Sequence, residues 1–404
     1  MISNENWVHV PVGIDAEWLV TRADCRSVLV VVHTVTSGRA LLDVVELIET
    51  DPRVQLVFTH QPGAFSGGVA EFLHQMGGVV MPWHQAVRER FDLALAAAYS
   101  GLPDLHAPAM VVSHGASFGK HVSPVGEGVL LADPPVYGLD AQRLTRDGRL
   151  VVSALALSHH SQLDVLRRQC PDGLRVAVVA GDPCFDRLVA SEPHRREYRA
   201  ALNVEDDQAL VVVTSTWGRH GLFGQHGDVL ARLMSELPPE RFRVAALLHP
   251  AVWACHGRRQ VKAWLRECLD AGLMLFEPQD DWRPAIVASD HVFGDHGSVT
   301  VYAAAIGRPV LCVDRPSGFV TAGGSPHELV GHTAPAWDPD LPLAEQLGTE
   351  PAVRPEEVAK LVTSCPGRAD GVLRKIMYKL IGIAEPGRHR LARPVPAPTR
   401  WRAR

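Results

Sequence analysis

The chain lacks the features that mark several protein classes. Its seven cysteines stand singly, with no Cys-x-x-Cys pair, which argues against a disulfide framework or a zinc site and indicates reduced thiols. No uncharged apolar run reaches the ~18 residues that a membrane-spanning helix needs. The N-terminal residues lack the basic-then-apolar order of a signal peptide. We therefore expect a cytoplasmic protein.

The sequence also lacks an excess of positive charge. Lysine and arginine total 40 against 45 aspartates and glutamates, a formal net charge of −5, whereas nucleic-acid-binding proteins are usually basic.

The P-loop and Gly-x-Gly-x-x-Gly patterns are absent as well, which argues against P-loop and classical dinucleotide-binding enzymes. Histidines such as His159, His160, His220 and His226 do not have the spacing of metal ligands. We expect no metal or other cofactor.

What the sequence does contain is an alternation of valine-rich runs and amphipathic stretches. Runs at 27–35 and 54–59, and again at 209–214 and 243–248, are typical of buried parallel strands. Helices are predicted between them, including one over 85–98. The pattern predicts an α/β protein with two doubly wound, Rossmann-like domains facing a central cleft, where open α/β sheets bind their ligands.

A length of 404 residues fits more than one hydrophobic core. We predict an acceptor-side domain over 1–183, a nucleotide-donor domain over 184–365, and a C-terminal helix with an arginine- and proline-rich tail over 366–404. The favoured interpretation of the tail is a solvated segment, and peripheral contact with anionic lipid is the alternative. Its arginines are Arg388, Arg390, Arg393, Arg400, Arg402 and Arg404.

The most informative stretch is 289–310, in which a strand leads through Gly294, Asp295, His296 and Gly297 to a short helix. We predict that Ser298 is the N-cap of this helix. Exposed backbone N–H groups and the helix dipole favour a phosphate at such a point. A plain strand-to-helix turn is the alternative.

Three further segments follow predicted strands. His249 and Pro250 come directly after one strand, where the imidazole would donate to a phosphate oxygen. His114 and Gly115 follow a strand of the first half, where a neutral imidazole would act as a general base. Gly115 is expected to contact the nucleotide-linked donor, as are Asp295, His296, Gly297 and Ser298. Each histidine has an ordinary structural role as its alternative. The remaining segment would approach a phosphate or cap the next helix; it contains Thr216, Trp217 and Gly218.

In their order and spacing these segments resemble the CDP-glycerol glycerophosphotransferase family, whose members have the GT-B fold. The His114–Gly115 turn, the 158–167 segment and the 181–186 turn are similar to successive motifs of that family. So are the Thr216–Trp217 pair, His249–Pro250 and the Asp295-to-Ser298 turn that follow. The resemblance covers about 109–313.

The resemblance implies a transferase that moves a glycosyl or glycerophosphate group from a CDP- or UDP-linked donor to an acceptor hydroxyl. His114 would be the catalytic base, and His249 with the Gly297–Ser298 helix start would hold the donor diphosphate. The 277–282 loop, with Asp281, would lie near the nucleobase.

Two alternatives stay open. One is a UDP-sugar 2-epimerase-like enzyme of the same fold, which would need carboxylates such as Asp182, Asp186 and Asp295 facing the sugar. The other is a nucleotide-binding protein without catalytic activity.

Overall fold

The architecture is taken from a computed structural model, which describes residues 7–13, 16–63, 65–122, 134–313, 321–348, 350–387 and 392–398. Two compact units make up the chain. The first comprises Met1–His114, Tyr137–Pro183 and Ser364–Leu391, and the second comprises Gly115–Val136, Cys184–Thr363 and Ala392–Arg404. Among the tail arginines, only Arg393 lies within the described residues.

The strands alternate with helices along both units. The strands are β1 (Arg26–Val32), β2 (Val54–His60), β3 (Val80–Met81), β4 (Leu93–Ala96), β5 (Ala109–Val111), β6 (Thr145–Arg146), β7 (Arg149–Leu150), β8 (Ala154–Leu157), β9 (Ala177–Val179), β10 (Ala209–Ser215), β11 (Phe242–Leu248), β12 (Met274–Phe276), β13 (His291–Gly294) and β14 (Val310–Cys312).

The helices include several single turns. They are α1 (Val35–Val45), α2 (Val69–Met76), α3 (Trp83–Ala86), α4 (Ala141–Leu144), α5 (Ser161–Gln169), α6 (Pro183–Ser191), α7 (Arg195–Ala201), α8 (Leu222–Gln225), α9 (Val229–Glu236), α10 (Pro250–His256), α11 (Arg258–Trp264), α12 (Arg266–Asp270), α13 (Arg283–Ala288), α14 (Ser298–Ala305), α15 (Pro326–Thr333), α16 (Leu343–Gln346), α17 (Pro355–Val362) and α18 (Ala369–Ile381). None of the helices in the described residues is long and apolar enough to cross a bilayer.

The first unit is built on a seven-stranded parallel sheet with the order β3-β2-β1-β4-β5-β8-β9. Its central strands are continuous apolar runs because both faces are covered by helices. The antiparallel pair β6-β7 lies outside this sheet. The prediction of a helix over 85–98 is wrong: only α3 is helical there, and β4 is a central strand. The Leu-Ala-Leu-Ala run of β4 is fully buried, and tertiary packing overrides the helix propensity of alanine.

The last helix, α18, belongs to the first unit rather than to a separate C-terminal segment. Its apolar face, with Leu373 and Met377, joins the core formed by β1 and α1. The Tyr378 hydroxyl donates to a carboxylate oxygen of Asp51 at 2.8 Å. Because Asp51 also pairs with Arg53 at 2.8 Å, the helix is fixed to the turn that precedes β2.

The second unit contains a five-stranded parallel sheet with the order β12-β11-β10-β13-β14. Strand β10 is its centre, and the chain order reverses on either side of it. The prediction of an α/β fold with two doubly wound, Rossmann-like sheets is confirmed. Two short helices, α11 and α12, lie between β11 and β12 after α10.

Candidate functional site

Asp295 ties together two loops at the carboxyl ends of β10 and β13. Its side chain is buried, with 3% of the residue exposed. One carboxylate oxygen accepts the backbone N–H groups of Thr216 at 2.8 Å and Leu222 at 2.9 Å. The other accepts the N–H of Gly297 at 2.9 Å. The carboxylate therefore holds these two loops together.

The N-cap of α14 is Gly297, not Ser298 as the sequence predicted. Gly297 has the extended backbone of a cap residue, with φ −73° and ψ 156°, and Ser298 is the first helical residue. The Gly297 N–H is held by Asp295, which fixes this conformation. Glycine offers no side chain to accept from the first N–H groups of the helix. Those groups have no partner within the helix and carry its positive dipole end.

Gly115 lies directly against the start of α14. A Cβ atom on Gly115 would lie 2.6 Å from Ser298 Oγ and 3.4 Å from Ser298 Cβ. Real Cβ atoms do not make so short a contact, so any other residue would require Ser298 or the backbone to move, and glycine permits the approach as it stands. The contact joins two residues that the sequence assigned to the same ligand.

His114 is half-buried and precedes Gly115 in the chain. Its Nδ1 lies 2.6 Å from the carbonyl oxygen of Ala97. Because a carbonyl oxygen can only accept, Nδ1 donates, and the basic nitrogen of the neutral ring is Nε2. The ring also packs edge-on against Tyr137, with centroids 6.1 Å apart. The backbone thus selects the tautomer that a general base at Nε2 requires.

His249 has the opposite tautomer. It is the N-cap of α10, and its Nδ1 accepts the backbone N–H of Ala251 at 3.1 Å. The hydrogen of the neutral ring is therefore on Nε2, which makes that nitrogen a donor. The His249 N–H donates to Ser215 O at 3.0 Å, which fixes the residue at the end of β10. Pro250 is the first residue of α10, where its missing N–H costs nothing.

Three further predicted site residues, Trp217, Gly218 and Asp281, differ from one another in exposure, backbone conformation and partners. Trp217 is 47% exposed, and Gly218 has a φ of +85°, a conformation that favours glycine. Asp281 pairs with Arg283, whose Nη2 lies 2.7 Å from Asp281 Oδ2. The structure thus brings together Thr216, Asp295, Gly297 and Ser298 with Gly115 by direct contacts, whereas Asp281 is engaged in a local ion pair.

Sequence reasoning missed His327, which lies on α15. Its Nε2 is 3.3 Å from Ser298 Oγ, and 2% of the residue is exposed. A small cavity beside it, with room for a water-sized molecule, is also lined by Asp295, His296 and Cys312. Burial lowers the pKa of His296 and, more strongly, that of His327. No local pattern marks His327, because its partner stands 29 positions earlier.

A sequence motif that the sequence analysis did not consider is the Gly-Ala-Ser-Phe-Gly run from Gly115 to Gly119. This is the Gly-x-Ser-x-Gly pattern of a hydrolase nucleophile elbow, and Ser117 has the positive φ, 66°, that such a serine adopts. An elbow also requires a helix directly after the serine. The residues described after Ser117, up to Val122, form bends and isolated bridges, so the context of a hydrolase elbow is missing.

This chain is similar to known proteins in its structure but not detectably in its sequence. Neither the protein-family models nor the curated protein sequences match this chain. A variant of the wall teichoic acid polymerase TagF soaked with CDPG is similar at a TM-score of 0.60 and 14% identity, over 88% of this chain and 89% of that chain. Another TagF structure has a TM-score of 0.51 at 12% identity, over 89% of this chain and 83% of that chain.

The S. aureus MnaA–UDP co-structure is similar at a TM-score of 0.51 and 12% identity, over 89% of this chain and 98% of that chain. All three likenesses extend over both units. The resemblance stated from the sequence is confirmed at the level of the fold, and the chain has the GT-B architecture of two Rossmann-like domains.

Proposed function

We propose that this protein is a transferase that moves a glycosyl or glycerophosphate group from a CDP- or UDP-linked donor to an acceptor hydroxyl. The observation that carries the proposal is the contact of Gly115 with Ser298 at the start of α14. A glycine backbone pressed against a helix start without a side-chain cap is an arrangement suited to a phosphate group. The similarity to a TagF variant soaked with CDPG and to the MnaA–UDP co-structure adds support.

In this proposal the donor diphosphate binds at the N–H groups that begin α14. These groups and the helix dipole stabilise negative charge that develops on the leaving group. The Nε2–H of His249 donates a further hydrogen bond to a phosphate oxygen, in the tautomer that Ala251 enforces. Protein groups supply the charge stabilisation, so the proposed reaction needs no metal or other cofactor.

His114 is the proposed general base. Its Nε2 takes the proton of the acceptor hydroxyl as the acceptor oxygen bonds to the donor. For glycosyl transfer, the anomeric carbon–oxygen bond breaks and the nucleoside diphosphate leaves. For glycerophosphate transfer, the oxygen attacks the distal phosphorus, the bridging P–O bond breaks and the nucleoside monophosphate leaves. The proton then passes from His114 to solvent.

Release of nucleotide from CDP- and UDP-linked donors tests the proposal, with the pure protein and a panel of hydroxyl acceptors. We expect release that depends on an acceptor and falls at least ~100-fold in His114→Ala, the usual contribution of a general base. His106→Ala is the matched control, since His106 is an exposed histidine of the same unit. Equal rates for wild type and His114→Ala would remove His114 from the mechanism.

The epimerase alternative is less well supported because it needs carboxylates that face the sugar. Asp295 is engaged by three backbone N–H groups, and Asp182 and Asp186 are buried. An epimerase would convert a UDP-sugar without any acceptor, which product analysis detects. Tight nucleotide binding with no turnover on any donor would instead favour the alternative without catalysis.

A further inference from the structure

A buried histidine beside the start of α14 has unused hydrogen-bonding capacity. The Nε2 of His327 lies 3.3 Å from Ser298 Oγ, whereas its Nδ1 has no hydrogen-bond partner among the described residues. Buried polar atoms without a partner are rare in folded proteins and call for an explanation. His327 lines the same small cavity as His296 and Asp295. The imidazole is therefore held at a polar site rather than in the apolar core.

The loop from Gly115 to Lys120 lies against this imidazole at Gly119. A Cβ atom on Gly119 would lie 2.3 Å from His327 Nδ1, so the loop backbone packs directly on the ring. The Ala322 N–H donates to Gly119 O at 2.9 Å, and Lys120 pairs with Thr321 in an isolated bridge. The loop thus contacts the start of α14 at Gly115 and the imidazole at Gly119, and it ends in a lysine.

The titratable groups that face one another here are mostly cationic or neutral donors. Burial lowers the pKa of Lys120, and the Lys120 charge together with His296 further lowers the pKa of His327. His220 acts in the same sense on His296. Asp295 is the acidic group whose charge raises the pKa of Lys120, of His296 and of the Cys312 thiol, against the effect of burial on the first two. Its two oxygens already accept backbone N–H groups, so the cluster has donors in excess.

We infer that Lys120 and His327 complete the diphosphate site at the start of α14, and that His327 takes up a proton when a diphosphate binds. The inference rests on the proposed function, because it concerns the same site. A bound anion beside Ser298 supplies the negative charge that favours the imidazolium form of His327. Lys120 supplies a second basic group, at the end of the glycine-containing loop, whose charged form a bound anion also favours. Both residues are binding residues here and not acid–base catalysts.

Calorimetric titration of the whole protein with CDP and with UDP tests the inference. Titrations at pH 7.0 in two buffers of different ionisation enthalpy give the number of protons taken up on binding. We expect a greater proton uptake by wild type than by His327→Gln, in which the amide keeps a hydrogen bond to Ser298 without titrating. The comparison cancels any proton exchanged by the nucleotide itself. Lys120→Met should weaken binding at least ~10-fold.

Matched controls separate these effects from general damage. His332 is an exposed histidine on the same helix, α15, and Lys360 is an exposed lysine on α17. The variants His332→Gln and Lys360→Met should bind as wild type does and take up the same number of protons. Circular dichroism melts establish which variants are folded. If His327→Gln does not fold, the Lys120→Met affinity decides the inference.

Each outcome bears on one claim or on both. Nucleotide binding with equal proton uptake in wild type and His327→Gln, or with unchanged affinity in folded Lys120→Met, would overturn the inference and leave the proposed function standing. Folded wild-type protein that binds neither nucleotide would overturn the proposed function and the inference together. Greater proton uptake by wild type and weaker binding by Lys120→Met would support both.

Discussion

The backbone N–H of Thr216 donates to Asp295 Oδ2 at 2.8 Å, which joins the loop after β10 to the loop before α14. The same oxygen accepts from Leu222, and its partner oxygen accepts from Gly297. A single buried carboxylate thus determines the shape of the loop in which the sequence predicted a phosphate site.

Asp295→Asn is expected to destabilise the second unit. The amide nitrogen of asparagine would face at least one N–H group that the carboxylate now accepts. A buried donor left without an acceptor costs about 1–3 kcal/mol, so we expect a loss of about 2 kcal/mol in the free energy of unfolding. Urea denaturation measures it. Asp270→Asn, at an exposed aspartate on α12, should change stability by less than ~0.5 kcal/mol. An equally small change in Asp295→Asn would contradict this role.

Gly115→Ala tests the close approach to α14. The new Cβ would lie 2.6 Å from Ser298 Oγ and 3.4 Å from Ser298 Cβ, so the Ser298 side chain, the loop or the helix start must shift. We expect the affinity for CDP or UDP to fall at least ~10-fold, since a displaced loop no longer shapes the proposed phosphate site. Thermal melts and calorimetric titration measure the two effects.

Two companion variants control this experiment. Ser298→Gly in the Gly115→Ala background removes the clashing atoms and should restore part of the lost thermal stability. Gly371→Ala, on α18 where a Cβ would meet nothing within 4 Å, should be neutral or stabilising by up to ~1 kcal/mol. Unchanged nucleotide affinity and melting temperature in Gly115→Ala would show that the contact has no consequence.

His33 should make stability depend on pH. Burial, with a smaller effect from His60, lowers the pKa of this histidine from its ordinary 6.5. Its Nε2 lies 2.8 Å from Ser100 O, so Nε2 donates. Above pH 6.5 the ring is neutral in both states and carries no penalty. Below pH 6.5 the unfolded chain binds a proton that the folded chain does not, so the free energy of unfolding falls as pH decreases.

His33→Gln keeps a donor for Ser100 and removes the titration. Urea denaturation between pH 5 and pH 8 should therefore give a shallower pH dependence for this variant below pH 6.5. One proton contributes at most about 1.4 kcal/mol per pH unit. The exposed His332 offers a control, and His332→Gln should keep the wild-type slope. Identical slopes for wild type and His33→Gln would contradict the assignment.

Tyr378→Phe tests the attachment of α18 to the first unit. The hydroxyl donates to Asp51 at 2.8 Å in a buried site, and burial together with this bond raises the pKa of Tyr378 to about 12. Removing the hydroxyl should cost about 1.5–3 kcal/mol of unfolding free energy, the range for a hydrogen bond to a charged group. A spectrophotometric titration of the tyrosines should lose the transition of one tyrosine at a pH of about 12. A variant as stable as wild type would contradict the role of this bond.

The alternation of apolar runs and amphipathic stretches predicted most of the fold, because parallel strands covered on both faces are continuous apolar runs. It failed at β4, where alternating leucine and alanine have high helix propensity and only burial at the sheet centre makes them a strand. Strand β8 was not predicted for a similar reason, since its Ala-Leu-Ala-Leu run lacks β-branched residues.

Some residues of the candidate site could be predicted from neighbouring sequence, whereas others depend on contacts between residues far apart in the chain. The 294–298 turn is local, so its glycines and serine were visible in the sequence, although the cap is Gly297 because Asp295 holds its N–H. The role of Asp295 itself depends on Thr216 and Leu222, which are more than 70 positions away. The approach of His327 to Ser298 and Gly119 depends on the packing of α15. Contacts of this kind leave no periodic signal in a single sequence.

The most direct test of the account is a crystal structure of the protein with CDP or UDP bound. The account predicts phosphate oxygens within hydrogen-bonding distance of the backbone N–H groups at Ser298 and Val299, with His249 Nε2 donating to the same diphosphate. A diphosphate bound elsewhere on the protein, with the start of α14 left unoccupied, would contradict it.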